Sequence, residues 1–465
     1  MKNIIVAISI LLFFYSCTNR TDQEKSVARQ NYLDSLSCLC DNSITIQNPA
    51  NIEGYTDKIS YFPNDTVKIY ISSKSKLLNI NLVEQKLKSN KIVDIDATNG
   101  IVQNFNQCSF KEGCNWKVTN EIIIPKNVTS GYMTINLSND SGDFKIPIIV
   151  KSKVKNDILC VASSNTWQAY NNWGGASFYR YDINDSCKNK SSAEVLSLER
   201  PIKIVGNLTY YGHLFDAELA ALHWLEKQNY NFNVVTDTDL DLNPNLLKDY
   251  KLVILNTHSE YWTENALNGL DKYLDNKGSL CYLGANGLYW KVTLSDGKIE
   301  CQKKSKIHES DSTMGGKWRN LGRFEENLIG VAYDRAGYRT FMPYVVINDE
   351  HWLFNGTDLK KGDLFGKSLN RKYASGHETD KITAKSPENT VVLARGVNQE
   401  SIDQLGQPEA NRNGGANMVF FENSSGGLVF STGSITSSGS MLVDSSMSTI
   451  VDNFIQKAIS NTNKK

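Results

Sequence analysis

Hydrophobic and polar positions change rhythm along this chain. From Ser43 to about Lys153, apolar and polar residues alternate in short runs broken by turn residues. Lys58 to Ile71 alternates around a Pro63-Asn64-Asp65 turn, and Glu121 to Pro125 and Phe144 to Val150 add further runs. Period-two alternation bounded by turn signals predicts β-strands. Strands this short and this closely spaced predict an immunoglobulin-like β-sandwich over residues 43–153.

The pattern changes at Asn156. Asp157 to Ala162, Phe232 to Val235, Lys251 to Asn256 and Ser279 to Gly284 are short, continuous apolar runs. Between them, Leu214 to Gln228 places Leu219, Leu222 and Leu225 on one helical face. A second helix is predicted from Thr263, an N-cap, to about Asn276, closed by Lys277-Gly278. Buried strands alternating with helices predict an α/β domain over 154–465, with a parallel sheet covered on both faces. Beyond Gly315 the pattern is mixed. Met418 to Glu422 and Gly426 to Ser434 read as a strand pair, and Ser446 to Ile459 as a final helix.

The first residues follow another logic. Lys2 precedes an apolar stretch from Ile4 to Tyr15, then Ser16-Cys17 and a polar run. This is the layout of a signal peptide over 1–17, with Cys17 placed as the lipid-bearing residue of a lipoprotein and 18–42 as a tether. The apolar stretch falls short of the roughly 20 residues that a spanning helix needs. The expected location is the cell envelope: exported, and held to the membrane through the lipid.

Composition narrows the function classes. The 465 residues exceed a single ordinary domain of about 100–200. With 40% hydrophobic and 22% charged residues, the chain can bury a sizeable core. Fifty basic residues balance fifty acidic ones, which gives no electrostatic ground for nucleic-acid binding. Export permits disulfides, and Cys108 and Cys114 flank a short Gly-containing turn that suits a bridge. Cys160 and Cys281 lie in apolar runs as buried thiols. Cys38-Leu39-Cys40 is too closely spaced for a zinc pair. No Walker, Rossmann or Gly-x-Ser-x-Gly pattern is present.

Ligands of parallel α/β sheets gather at the C-terminal ends of the strands. Three loops there are rich in chemistry: Ser164 to Tyr179, Asn256-Thr-His-Ser-Glu-Tyr-Trp-Thr263, and Gly284-Ala-Asn-Gly-Leu-Tyr-Trp290. His308-Glu309 follows, then Gly315-Gly-Lys-Trp-Arg-Asn-Leu-Gly-Arg323, and later Gly376-His-Glu-Thr-Asp380.

In this order the loops resemble the C-terminal domain of the N,N-dimethylformamidase large (beta) subunit, from about Asp157 to the C-terminus. The resemblance implies a fold similar to the class I glutamine amidotransferase domain (flavodoxin-like) and hydrolysis of a C–N bond in a small amide. It also implies a mononuclear iron site of two tyrosinates and one glutamate, since hard Fe(III) favours oxygen ligands. Tyr261 and Tyr289 match the tyrosines, and Glu309 the carboxylate, with Asp311 as its alternative. His308, His258 and Glu378 are the expected proton-handling groups, with Glu422 a further acidic candidate. An oligomer is compatible with this reading. His213, His223 and His351 lie outside the loops and read as structural. The competing reading is a non-catalytic envelope protein in which Trp167, Trp173 and Trp262 line a glycan or peptide groove. Convergence of two tyrosine hydroxyls and a carboxylate on one point would separate the two.

Overall fold

The computed structural model describes residues 40–95, 98–182, 192–206, 210–397 and 414–460. The expected signal peptide, Cys17 and nearly all of the tether lie outside them. Among the described residues, no helix is long and apolar enough to cross a membrane.

The N-terminal part folds as two facing sheets. Ile52–Thr56, Thr66–Ser73 and Asn120–Ile123 form one. Gly142–Val150, Gly131–Asn139, Leu77–Glu84 and Asn90–Ile95, flanked by Ser60–Tyr61, form the other. Alternate residues of both, such as Val67, Ile69, Ile80, Ile135 and Ile148, interdigitate in one core, which is why the sequence there alternates with period two.

The remainder is built on a mixed sheet. Its elements are β1 (Ile158–Ala162), α1 (Phe215–Lys227), β2 (Phe232–Thr236), β3 (Leu252–Thr257), α2 (Glu264–Asp275), β4 (Ser279–Gly284), β5 (Tyr344–Val346), β6 (Leu364–Phe365), β7 (Val391–Gly396), β8 (Asn417–Glu422), β9 (Leu428–Ser431) and α3 (Ser445–Ser460). The strand order is β2-β1-β3-β4-β9-β8-β7-β5-β6. Strands β2, β1, β3, β4 and β9 are parallel, and the rest pair antiparallel.

Helices cover both faces of the parallel half. Cys160, Ile254 and Cys281 point toward α1 and α3, whereas Leu159, Val253 and Leu280 point toward α2. Burial on both faces explains the continuous apolar runs. Thr263 caps α2 by accepting from the Ala266 N–H at 3.3 Å, as its sequence position predicts. Winding reverses between β1 and β3, so the loops after these strands flank a switch point at the carboxyl edge of the sheet, where ligands of such sheets gather.

The two parts share a core: Tyr132 and Ile149 of the sandwich pack in one cluster with Trp167, Phe215 and the underside of β1. Lys151 of the sandwich pairs with Asp239 just after β2. One sequence expectation is corrected here. Cys108 bonds to Cys40, not Cys114, and Cys114 is a buried free thiol. A four-residue helix, Ser109–Glu112, fills the segment after Cys108 where a hairpin turn was expected. Cys160 and Cys281 are buried and free.

Candidate active site

The loop after β3 turns sharply. Thr257 has φ +58°, and Asn286, after β4, has φ +52°. A β-branched residue in the left-handed region is strained, and such strain accumulates where side chains must be aimed. Gly284 makes the turn after β4 feasible, since a Cβ there would lie 2.5 Å from the Thr257 carbonyl. Asp380 then grips the second loop, accepting from the Asn286 N–H at 2.7 Å and from the Tyr282 hydroxyl at 3.1 Å.

These turns bring together His258, Glu260, Asn286 and Glu378, all buried. His258 Nε2 lies 3.0 Å from Glu260 Oε2, and Nδ1 lies 3.2 Å from the Ala285 carbonyl and 3.9 Å from Glu378 Oε2. Both ring nitrogens therefore face acceptors, which favours the imidazolium. Burial alone would pull this ring down, but the Glu260 charge and hydrogen bond, helped by Glu378 and the Ala285 carbonyl, bring it up to about 9.

The two carboxylates are pushed in opposite directions. Burial disfavours the charge on Glu260, yet His258, Lys303 and Tyr179 outweigh it and hold the group below the usual carboxylate range. Glu378 is raised, by burial first and by the Glu260 charge, against the pull of His258. Glu260 is saturated: it accepts from His258, from the Tyr179 hydroxyl at 2.9 Å on each oxygen, and from Asn286 Nδ2 at 3.3 Å. Glu378 accepts from Asn286 Nδ2 through Oε2 at 2.8 Å, and its Oε1 has no partner among the described residues. Asn286 Oδ1 and His213 Nε2 are also buried and unpaired, an arrangement that calls for an explanation.

The sequence placed His258 and Glu378 at the site, and they meet. His213 was read as structural, yet its ring centroid lies 5.5 Å from that of His258 and 4.8 Å from that of His377. Tyr170, Tyr179, Asn286, His377 and Lys303 were not singled out. The Lys303 ammonium lies 3.6 Å from the Tyr179 ring centroid, and its charge acts on both Glu260 and Glu378.

Other expected residues stand elsewhere. His308 is buried in a separate loop, where its Nε2 accepts from the Gln302 N–H at 3.4 Å and its charged neighbours are Glu300, Asp311 and Lys291. It braces the loop carrying Lys303 and does not join the cluster. Glu309 and Asp311 are exposed, and Asp311 caps its own turn by accepting from Thr313. Glu422 is exposed at the end of β8. Trp167, Trp173 and Trp262 are buried, which removes the expected binding groove.

The residues expected to hold iron do not gather. The Tyr261 hydroxyl donates to that of Tyr179 at 2.7 Å, and burial keeps the phenol well above its ordinary pKa. The Tyr289 ring packs 5.6 Å from Tyr333 and beneath the Arg319 guanidinium. Glu309 faces solvent. Two phenols and one carboxylate do meet, in Tyr179, Tyr261 and Glu260, but Lys303 and the His258 imidazolium already face that oxygen set. Tyr179, Tyr261 and Glu260 are the oxygens that would hold such an ion, with the Lys303 charge beside them.

A profile of the family described as N,N-dimethylformamidase beta subunit-like, C-terminal, matches residues 84–448. The N,N-dimethylformamidase beta subunits of Paracoccus aminophilus and of an Alcaligenes species are each 24% identical over 403 residues, covering 71% of this chain and 52% of theirs. The chain thus spans about half the length of the curated relatives it matches. Among solved structures, a putative ThuA-like protein from Parabacteroides merdae aligns with a TM-score of 0.29 and 14% identity, over 54% of this chain and 87% of that one. A likeness that low carries no argument.

Proposed function

The chain belongs to the N,N-dimethylformamidase beta subunit-like family, and from that premise we propose that it hydrolyses the C–N bond of a small amide at the His258–Glu260–Glu378 cluster. The observation that carries the reading is the contrast between the two buried carboxylates: Glu260 is ionised and saturated, whereas Glu378 is raised and has a free oxygen. Carboxyl groups driven apart by their surroundings mark the division of acid–base labour.

Glu378 is the proton carrier. A carboxyl raised above its ordinary range takes a proton from the attacking water and returns it to the departing nitrogen. His258, charged, stabilises the negative tetrahedral intermediate through its field, its two N–H groups being held by Glu260 and the Ala285 carbonyl. Glu260 touches no substrate in this scheme; it holds His258 in the cationic state. Asn286 Oδ1, buried and unpaired, is placed to accept the amide N–H. Iron held by Tyr179, Tyr261 and Glu260 would supply a Lewis acid there; every step proposed runs on side chains.

The strand order β2-β1-β3-β4 supports the glutamine amidotransferase-like fold as part of this reading. The Cys40–Cys108 disulfide supports an oxidising compartment, and with it an exported chain anchored through Cys17. The relatives are named as subunits, which supports a partner subunit for this chain as well. A screen of small amides, with Glu378→Gln as control, tests the activity. Hydrolysis that is lost in the variant is expected; hydrolysis that survives it would remove Glu378 from the mechanism.

A further inference from the structure

Two guanidinium groups stand one layer outside the cluster. Arg339 and Arg371 are exposed, and among the described residues neither has a carboxylate at ion-pair distance. The Arg339 N–H donates to the His377 carbonyl at 2.7 Å, and Arg371 lies over Phe341, whose ring centroid is 6.4 Å from that of His377. His377 stacks on His213, which contacts His258 edge to face. The two arginines thus lie along one line of contacts ending at the reaction centre.

Arg339 has φ +60° and Arg371 φ +63°, both in the left-handed region. Aromatic rings fix the side chains. Arg371 lies over Tyr211 at 4.6 Å and Phe341 at 5.3 Å, and Arg339 over Tyr338 at 5.3 Å. Tyr211 and Tyr338 are themselves exposed. Burial and the neighbouring cations hold His213 well below its ordinary pKa and His377 at about 3, so both rings are neutral spacers.

We propose that the substrate is an amide bearing a carboxylate, of the N-acyl amino acid class, and that Arg339 and Arg371 hold the carboxylate while Tyr211 and Tyr338 flank the apolar part. The planar fork of arginine matches a carboxylate in two-point contact, and an anion there completes two cations that no carboxylate among the described residues neutralises. Placing the carboxylate at the rim directs the amide inward, past His377 and His213, to Glu378. The assignment rests on the amide-hydrolase reading, which it refines.

Calorimetry with N-benzoylglycine and its neutral amide, N-benzoylglycinamide, tests the proposal on the whole chain. The acid is expected to bind at least tenfold more tightly, with an advantage that shrinks as salt is raised and vanishes in Arg339→Gln/Arg371→Gln. Equal affinities, an advantage that survives the double substitution, or no binding of the acid to folded protein would each overturn it. Turnover of neutral amides that depends on Glu378 but not on the arginines would leave the hydrolase reading standing and remove only the carboxylate. Circular dichroism of the double variant separates loss of binding from loss of fold.

Discussion

Tyr132, on a strand of the β-sandwich, donates its hydroxyl to the carboxylate of Glu218 on α1, at 2.5 Å in a fully buried setting. The Trp167 indole N–H donates to the other carboxylate oxygen at 2.7 Å. Burial outweighs these donors and brings Glu218 up to about 7.

That shift makes stability depend on pH. A carboxyl raised in the folded state contributes stability that is full below its unfolded pKa and is lost as pH rises through about 7. Asp237, up to about 8, and Asp380, up to about 7, act in the same direction. The contribution of these carboxyls to the melting temperature should therefore fall between pH 5 and pH 9, against the lowered histidines, whose contribution rises up to about pH 6.5. In Glu218→Gln the fall should be shallower, by roughly 3 kcal/mol at most across that range. Parallel melting curves for variant and parent would show that Glu218 does not titrate there.

Replacing Glu378 by Gln keeps the size and the Asn286 contact but removes the proton carrier. Turnover should drop by about 100- to 10,000-fold, the range for losing general acid–base catalysis, while the fold is retained. Steady-state kinetics on any amide found in the screen measures this.

His258 sets the alkaline limit of activity. With the ring at about 9, kcat should decline as pH rises through that value, because the cation stabilising the intermediate is lost. Glu260→Gln removes the partner that raises the ring, so the decline should move to lower pH. An unmoved limit would assign it to another group.

Chelation should leave turnover intact, because each proposed step uses a side chain. Activity that falls on chelation and returns with iron, with a visible tyrosinate band lost in Tyr261→Phe, would replace this scheme with Tyr179, Tyr261 and Glu260 as ligands.

Peptide mapping under non-reducing conditions should link Cys40 to Cys108. Cys114→Ser should leave that link in place, and Cys108→Ala should cost about 2–4 kcal/mol of stability. A Cys108–Cys114 link would reverse the assignment.

Period and burial were legible in the chain. The runs that became β1 to β4 and the caps of α2 lay within a residue or two of their final bounds, because local pattern fixes such elements. Three loops of the site were found for the same reason: they follow apolar strands, and Tyr179 closes the first of them. Partners that arrive from afar were not legible. His213 comes from the turn before α1, and Lys303 from the segment after β4. Neither has a local signature, and only the folded chain brings them together. His308-Glu309 misled because adjacent titratable residues look like a site in one dimension, whereas Glu300, which accepts from the Glu309 N–H at 2.8 Å, holds them in another loop.

The shared core around Tyr132, Ile149, Trp167 and Phe215 bears on how this protein can be divided. Sequence rhythm breaks cleanly near residue 153, which invites a cut there. A fragment starting at that break would expose the apolar patch that Tyr132 and Ile149 cover and strand the Glu218 carboxyl without its phenol. The sandwich is thus one wall of the α/β body, and the seam visible in the sequence is no place for an engineer's scissors.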